Sequence, residues 1–315
     1  MYNQEKIKNI IYKEYLDRIN ELKTKNVRLA HYTSATVALS IIENKTIWLN
    51  NVCYMNDYSE IEIGNRLLMD FYKNDTGIEL RKIMDEIHEG CTKTLEQYYD
   101  SQSSRLMNTY AFCLTEHTKE EDEYGRLSMW RAYGLNNGVA LVFNTPMFLE
   151  EADNTSVMTM PMFYYDKSEF SHAVADFTRR LEENSDILKM TPHFDNYIID
   201  KFFMTALSLK HKGFEEECEW RVLYNEFLYG NCHSEIIEEK IEVINGIPRI
   251  VKKLNFSKIT YNNHKFNIDE LIDRIIIGSN SNAEKLREIF VRTLENNGVA
   301  NADKKVVCSE IPLRR

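Results

Sequence analysis

Two glutamates near residue 218 are the strongest candidates for catalysis in this sequence. Glu217 and Glu219 precede Trp220 and Arg221. Residues two apart in an extended strand face the same side, so we expect both carboxylates to point into one cleft. One carboxylate would stabilise an oxocarbenium-like sugar, and the other would orient or deprotonate a nucleophile. The alternative is a solvated acidic loop in which Glu219 forms a structural ion pair with an arginine.

A second motif, near the N-terminus, offers several hydrogen-bonding groups: His31, Tyr32, Thr33 and Ser34. The pattern predicts a short strand that ends here and a helix that follows from residue 35. Such groups at one edge of a sheet can hold a sugar hydroxyl or an amide. The alternative is that Ser34 caps the helix and that His31 is a core residue with satisfied hydrogen bonds.

A third motif, MWRAYG, follows an acidic loop and precedes an apolar segment. Trp130 and Tyr133 are three residues apart, which places them on one face of a short helix. That face can stack a nucleobase or a nicotinamide ring, with Arg131 near a phosphate. The alternative is that the two aromatic residues only fill the core.

Composition excludes several classes of protein. The net charge of −10 disfavours a broad nucleic-acid-binding surface. The six cysteines are scattered, which indicates neither a disulfide framework nor a zinc site, and we predict no metal. The N-terminus lacks the apolar segment of a signal peptide, and no stretch has the roughly 20 apolar residues that span a bilayer. We therefore expect a cytoplasmic protein without membrane contact.

Helical and strand patterns do not alternate regularly along the chain, which argues against a doubly wound parallel sheet. GVALVFN at 138–144 and RIIIG at 274–278 predict buried strands, and Asn245-Gly246 predicts a hairpin. The sequence thus predicts an α+β fold with a mixed, mostly antiparallel sheet and inserted helices. We expect residues 1–27 to form an N-terminal helix and residues 28–315 to form a single domain.

The order of the motifs resembles a bacterial family, the domain of unknown function 2971. The matching segments, in order over roughly residues 28–280, are LAHYTS, IWLNNVCYMND, AFCLTE, MWRAYGLNNGVALVF, ECEWR and RIIIG. This family looks related to the ADP-ribosyltransferase-like folds. The resemblance implies a split mixed sheet that binds NAD in its cleft.

The resemblance also implies roles for individual residues. His31 would hold the nicotinamide-side ribose, and Glu219 would bond a ribose hydroxyl and stabilise the cation formed as nicotinamide leaves. Glu217 with Glu219 resembles the Glu-x-Glu pair of family members that modify arginine side chains. Tyr133 is the predicted middle residue, with Tyr110 and Tyr32 as alternatives, because no Ser-Thr-Ser segment is present. The residues expected to bind the dinucleotide are His31, Tyr32, Thr33, Ser34, Trp130, Arg131, Tyr133 and Arg221.

Three hypotheses follow for function. The first is an enzyme that consumes NAD as a substrate and transfers ADP-ribose to a macromolecule or to water; the resemblance implies a toxin-like or phage-defence role. The second is a sensor that binds a nucleotide without chemistry. The third is a protein-interaction module in which the aromatic motifs belong only to the core.

Overall fold

The structure is a computed structural model with an α+β fold and a mixed, mostly antiparallel sheet, as the sequence predicts. Within the described residues, no helix is both long and apolar enough to cross a bilayer. The described residues are 4–54, 58–100, 102–134, 137–149, 157–225, 235–244, 246–261 and 264–311.

The helices follow amphipathic patterns and local capping signals. Asn74, for example, accepts a hydrogen bond from the amide of Gly77 at the start of α5, whose buried residues repeat at helical spacing. The N-terminal helix predicted as one segment is two helices with a break at Tyr12. The described helices are α1 (Gln4–Ile11), α2 (Lys13–Thr24), α3 (Ala35–Asn44), α4 (Tyr58–Lys73), α5 (Asp75–Ile87), α6 (Cys91–Asp100), α7 (Gln102–Met107), α8 (Leu127–Tyr133), α9 (Pro146–Leu149), α10 (Lys167–Glu183), α11 (Ser185–Lys189), α12 (Phe194–Ser208), α13 (Ile268–Leu271), α14 (Ala283–Asn296) and α15 (Ala302–Lys305).

The described strands are β1 (Arg28–Ser34), β2 (Thr46–Asn51), β3 (Thr109–His117), β4 (Gly138–Phe143), β5 (Val157–Pro161), β6 (Phe163–Tyr165), β7 (Leu209–His211), β8 (Glu219–Asn225), β9 (Ile237–Ile244), β10 (Ile247–Asn255), β11 (Ile272–Ile277) and β12 (Val306–Cys308). The predicted apolar segments at 138–144 and 274–278 form two of the strands, β4 and β11. β9 and β10 form the predicted hairpin, with Ile244 opposite Ile247. Asn245, the first residue of the predicted turn, lies outside the described residues.

Ten of these strands form one sheet in the described part of the chain. Its order is β12-β11-β4-β1-β3-β2-β10-β9, with β8 also paired to β3 and β5 paired to β8. Every pairing along that order is antiparallel except β11 with β12, which is parallel. β6 and β7 form a separate parallel pair.

β1 and β3 diverge within this sheet. β1 pairs with β3 only as far as Ala30, which lies opposite Thr115, and then continues along β4 to Ser34. β3 continues on its other edge with β8, so that Thr115 lies opposite Glu219. The divergence leaves a gap beside His31, which is where the candidate site is found.

Contacts divide the chain into two compact units, each of which is discontinuous in sequence. The helical unit comprises Met1–Asn20, Val52–Asn108 and Pro161–Glu215. The sheet unit comprises Glu21–Asn51, Thr109–Met160 and Glu216–Arg315. The predicted boundary at residue 27 coincides with no edge of either unit, and the single domain over 28–315 stays a prediction.

Each unit has its own hydrophobic core. In the helical unit, side chains such as Met84, Phe170 and Phe202 pack together. In the sheet unit, Trp130 packs between Tyr32 of β1 and residues of β4 and β11. This second core supports the strand that carries His31.

Candidate functional site

A small cavity opens where β1 leaves β3 in the sheet unit. It encloses about 70 Å³. Its lining residues are Ala30, His31, Tyr32, Cys113, Leu114, Met129, Tyr133, Glu217 and Glu219. The cavity therefore brings together the predicted first-strand histidine, the predicted middle tyrosine and both predicted glutamates.

His31 bridges the gap between the diverging strands. Its Nδ1 lies 2.9 Å from the carbonyl oxygen of Cys113, and its ring packs against Phe112 with centroids 4.3 Å apart. Burial lowers the pKa of His31 to about 4, although the bond to Cys113 opposes this shift. The imidazole is therefore neutral at pH 7. Because a carbonyl only accepts, Nδ1 carries the proton and Nε2 presents a lone pair.

Glu219 begins β8 and forms a buried ion pair with Arg221. The Nε of Arg221 donates to Oε1 at 2.7 Å, and Nη2 donates to Oε2 at 3.2 Å. The Glu219 side chain is 7% exposed, and the Arg221 side chain is 1% exposed. Two carboxylate oxygens facing a guanidinium fork form the strongest geometry available to such a pair. The structural ion pair considered as an alternative is therefore present, and Glu219 also reaches the cavity.

The predicted extended arrangement of Glu217 and Glu219 is wrong. Glu217 ends a 3-10 turn that spans Lys212–Glu217, and Cys218 has a positive φ of 42°. This left-handed residue reverses the local backbone before β8 begins, so the alternation of a strand does not apply. Both glutamates nevertheless line the cavity. A left-handed conformation is strained for a residue with a side chain, and such strain is often found at functional sites.

The strand register places His31 and Glu219 on opposite faces of the sheet. Thr115, opposite both Ala30 and Glu219, shares their face, whereas His31 follows Ala30 and packs against Phe112. In a continuous sheet these two side chains would be separated. Both residues nevertheless line one cavity, which opens where β1 and β3 diverge.

The two aromatic residues of the MWRAYG motif have different surroundings. Trp130 is 2% exposed, and its Nε1 donates to the carbonyl of Tyr124 at 2.7 Å. Its ring packs edge-on against Tyr32, so its faces are covered by protein. Tyr133 ends α8, is 43% exposed and lines the cavity. The structure therefore brings Tyr133, and not Trp130, to the site. Of the two alternatives to Tyr133 as the middle residue, Tyr32 lines the cavity and Tyr110 does not.

Of the other residues predicted to bind the dinucleotide, Tyr32 lines the cavity, whereas Thr33, Ser34 and Arg131 do not. The hydroxyl of Tyr32 accepts a hydrogen bond from the amide of Arg126 at 2.7 Å. The side chain of Ser34 caps α3 by accepting a hydrogen bond from the backbone amide of Val37. This is the helix-capping role considered as the alternative to dinucleotide binding. Thr33 is half-buried in β1, and Arg131 is exposed on α8.

Arg126 is the important residue that the sequence analysis missed. Its guanidinium donates to Glu121 at 2.6 Å, to the hydroxyl of Thr115 at 2.8 Å and to the carbonyl of Glu116 at 2.7 Å. A longer bond of 3.3 Å reaches the carbonyl of Glu217. Burial would lower the pKa of Arg126, but Glu121 raises it overall. Arg126 thus ties β3 to the turn that carries Glu217. Its only signal in the sequence is an arginine shortly after the acidic run at 120–123.

The acidic loop before α8 is also anchored by ion pairs. Arg28 contacts both Asp122 and Asp273, and the Nε2 of His117 lies 3.1 Å from Asp122. These contacts fix the loop that leads to α8 and Tyr133. Among the residues that the structure describes, no cluster of three or more His, Cys, Asp or Glu side chains could hold a metal.

Comparison with known proteins gives one match. Residues 129–222 match the model of a family described as protein of unknown function (DUF2971). No curated protein and no solved structure matches the chain. The matched segment contains Tyr133, Glu217 and Glu219 and ends in β8, so it supports the resemblance to this family over that part of the site, whereas the relation to ADP-ribosyltransferases stays a prediction.

Proposed function

We propose that this protein cleaves NAD at the bond between nicotinamide and ribose. The bond to the nicotinamide nitrogen breaks with its electron pair, and a nucleophile attacks the ribose carbon. The products are nicotinamide, a proton and ADP-ribose attached to a macromolecule or to water. The observation that supports this proposal is the convergence of His31, Tyr133, Glu217 and Glu219 on one cavity.

Glu219 is assigned to stabilise the ribose cation. The charge on the ribose develops as nicotinamide leaves, so a fixed carboxylate nearby stabilises the transition state more than the ground state. The bidentate contact with Arg221 fixes the orientation of this carboxylate. Because a carboxylate oxygen can accept more than one hydrogen bond, a ribose hydroxyl can also donate to this carboxylate.

Glu217 is assigned to the nucleophile. It precedes Glu219 by two residues and lines the same cavity from the 3-10 turn. Since the Arg126 guanidinium holds the carbonyl of Glu217, the backbone beneath this side chain is fixed. From this position the carboxylate can accept a proton from the attacking water or side chain.

His31 and Tyr133 are assigned to substrate binding. The Nε2 lone pair of His31 can accept a hydrogen bond from a ribose hydroxyl, and the exposed ring of Tyr133 can stack on nicotinamide. An enclosed volume of about 70 Å³ is too small for a nucleotide. We therefore expect Tyr133 to move outward when NAD binds, with the pyrophosphate outside the cavity near Arg131.

The test is nicotinamide release from NAD by the purified protein, with cell lysate added to supply an acceptor. Glu219→Gln and Glu217→Gln are compared with Glu216→Gln, whose side chain is exposed and does not line the cavity. We expect Glu219→Gln to lower kcat by a factor of about 10² to 10³, as for loss of one electrostatic stabiliser, and Glu216→Gln to retain wild-type activity. Full NAD turnover by Glu219→Gln would show that the assignment is wrong.

A second candidate is a nucleotide sensor without chemistry. The observation that favours it is that both oxygens of Glu219 contact Arg221, which is typical of a structural pair. Calorimetry would then show NAD binding by the wild type while no nicotinamide is released. Tyr133→Ala would weaken this binding, and Glu219→Gln would change it little.

The biological role that we propose is that of a toxin-like effector in phage defence. An enzyme that consumes NAD stops the metabolism of the cell that contains it. We expect expression of the wild type to lower cellular NAD and arrest growth, and expression of Glu219→Gln to do neither. Normal NAD levels with an active wild-type protein would contradict this role.

A further inference from the structure

A second cavity lies inside the helical unit. It is enclosed by side chains from α2, α4, α10, α12 and β6. Its wall is rich in aromatic rings, among them those of Tyr15, Phe71, Phe163, Phe170, Phe177 and Phe202. None of the residues assigned to NAD cleavage belongs to this cavity.

The rings form a preshaped apolar space. Tyr15 and Phe163 meet edge to face with centroids 4.9 Å apart, and Phe71 and Phe170 do so at 5.1 Å. The enclosed volume is about 70 Å³. An apolar cavity of roughly 150 Å³ binds benzene and stays dry, so this smaller space has room for a short hydrocarbon group or, with small ring movements, one aromatic ring.

One end of the cavity is charged. The Nζ of Lys201 lies 2.7 Å from the Oε2 of Glu14, and Arg180 binds the other oxygen of the same carboxylate. The Lys201 side chain is 11% exposed, and its ammonium stands 4.7 Å from the centroid of Tyr15 and 5.4 Å from that of Phe177. Among the described residues, Glu14 supplies the one acceptor within hydrogen-bond distance of this ammonium. An ammonium has three donors, so Lys201 has capacity for a further acceptor.

The charges in this cluster do not balance. Burial alone would raise the pKa of Glu14, but Lys201 and Arg180 lower it below its usual value, so Glu14 is ionised at pH 7. Burial lowers the pKa of Lys201, and the neighbouring Glu14 opposes this shift. With Lys201 and Arg180 both protonated, one carboxylate faces two cations, which leaves a formal charge of +1. A net charge in an apolar site is unfavourable unless it is paired. An anion at the Lys201 end of the cavity would supply the missing charge.

We propose that this cavity binds a small monocarboxylate, with its carboxylate on Lys201 and its apolar part between the aromatic rings. The shape and charge of the site select this class against others. An amine would be repelled by the net positive charge, and a neutral alcohol would leave it unpaired. A phosphate needs more donors than this aromatic wall offers.

Calorimetry on the full-length protein, without NAD, tests the ligand class. The probes are butyrate and benzoate, with butanol, benzyl alcohol and benzylamine as matched neutral and cationic analogues. We expect at least one acid to bind with one-to-one stoichiometry and about tenfold or more tighter than its alcohol, because a charged hydrogen bond is lost in the alcohol. The bound acid should also raise the Tm.

A matched pair of variants on α10 tests the location. Ala173 lines the cavity, whereas Ala175 is exposed on the same helix. Ala173→Leu fills the space and leaves Glu14, Lys201 and Arg180 intact. We expect it to abolish acid binding and Ala175→Leu to retain wild-type affinity.

Three results would overturn the proposal. They are no binding by either acid, equal affinity for acids and alcohols, and unchanged acid binding by Ala173→Leu. Acid binding is measured in the absence of NAD, so its failure would not affect the proposed NAD cleavage. Likewise, a failure to observe NAD cleavage would not affect the proposed acid binding.

Discussion

The sheet unit and the helical unit each pair an acid with arginine or lysine, but the two clusters differ in net charge. In the sheet unit one carboxylate, Glu219, faces one guanidinium, Arg221, through two hydrogen bonds. In the helical unit the carboxylate of Glu14 faces both Lys201 and Arg180. The first pair is neutral as a whole, whereas the second cluster carries an additional positive charge.

This difference in charge determines how strongly the stability of each cluster depends on any single charged residue. Removing one partner of a neutral buried pair leaves an uncompensated charge, which is costly. Removing one of two cations around a single carboxylate leaves a neutral pair. The Glu219–Arg221 pair should therefore be sensitive to every single substitution, and the Glu14 cluster should tolerate the loss of Lys201 better.

The largest expected effect is that of Arg221→Met. This variant leaves the buried carboxylate of Glu219 without its guanidinium, and we expect a loss of about 3–5 kcal/mol in the free energy of unfolding. Urea unfolding followed by tryptophan fluorescence measures it. All three tryptophans, Trp48, Trp130 and Trp220, lie in the sheet unit, so the signal reports on that unit.

The double variant Glu219→Gln with Arg221→Met is the control for this prediction. It removes both charges and should be more stable than Arg221→Met alone, because no buried carboxylate is left without its counter-charge. A double variant as unstable as the single variant would show that packing, rather than charge pairing, is what Arg221 contributes.

Two glycines extend the comparison to the backbone. Gly125, in the sheet unit, has a φ of +68°, and an added Cβ would lie 2.8 Å from the buried ring of Trp130. Gly90, in the helical unit, has a φ of +83° with nothing within 4 Å of an added Cβ. We expect Gly125→Ala to cost roughly 2–4 kcal/mol, from left-handed strain plus overpacking, and Gly90→Ala about 1–2 kcal/mol from strain alone.

Unfolding followed by far-UV circular dichroism and by tryptophan fluorescence separates these two variants. The Gly125→Ala loss should be visible in the fluorescence signal. Equal losses for Gly90→Ala and Gly125→Ala would mean that the Trp130 ring moves aside, and that the core behind β1 is less rigid than its burial indicates.

Lys201→Met is expected to have a smaller effect than Arg221→Met. Arg180 still binds Glu14 in this variant, so the carboxylate keeps one cation, and the loss should be roughly 1.5–3 kcal/mol for one charged hydrogen bond. Circular dichroism of the urea transition measures it, with Lys189→Met, at an exposed position, as the control. A loss as large as that of Arg221→Met would show that Arg180 does not compensate.

Much of the fold could be predicted because its signals are local. The apolar segment of β4 and the Asn245-Gly246 pair of the β9–β10 hairpin each contain the information that defines the element. The pairing of β3 with three other strands depends on contacts between residues far apart in sequence, which no local pattern encodes. The helical unit is assembled from three segments that are far apart in sequence, and no local pattern connects them.

The candidate site also combines features that local sequence signals predict with features that depend on the folded structure. His31 and Glu219 could be selected from their residue types and motif order, and both line the cavity. The left-handed backbone of Cys218 could not be predicted, since cysteine has no preference for that conformation, and it made the strand argument for Glu217 wrong. The opposite burial of Trp130 and Tyr133 depends on which face of α8 meets β1, and helical spacing alone does not determine it.

The last prediction concerns pH and the sheet unit alone. The pKa of His31 falls to about 4 in the folded protein through burial, whereas an unfolded histidine has a pKa of about 6.5. Between these values the unfolded chain binds more protons, so stability is fully present above pH 6.5 and is lost as the pH falls toward 4. The contribution of His31 should decrease by about 2 kcal/mol between pH 7 and pH 5.

His31→Gln isolates this contribution. His117, whose pKa burial also lowers, is present in both proteins and shifts both in the same direction. The wild type should therefore lose about 2 kcal/mol more than His31→Gln between pH 7 and pH 5, as measured by tryptophan fluorescence. An identical pH dependence in the two proteins would mean that His31 is solvated enough to keep its ordinary pKa. The neutral imidazole, and with it the lone pair that we assign to a ribose hydroxyl, would then be lost at mildly acidic pH, and nicotinamide release should fall with a midpoint near 6.5 rather than near 4.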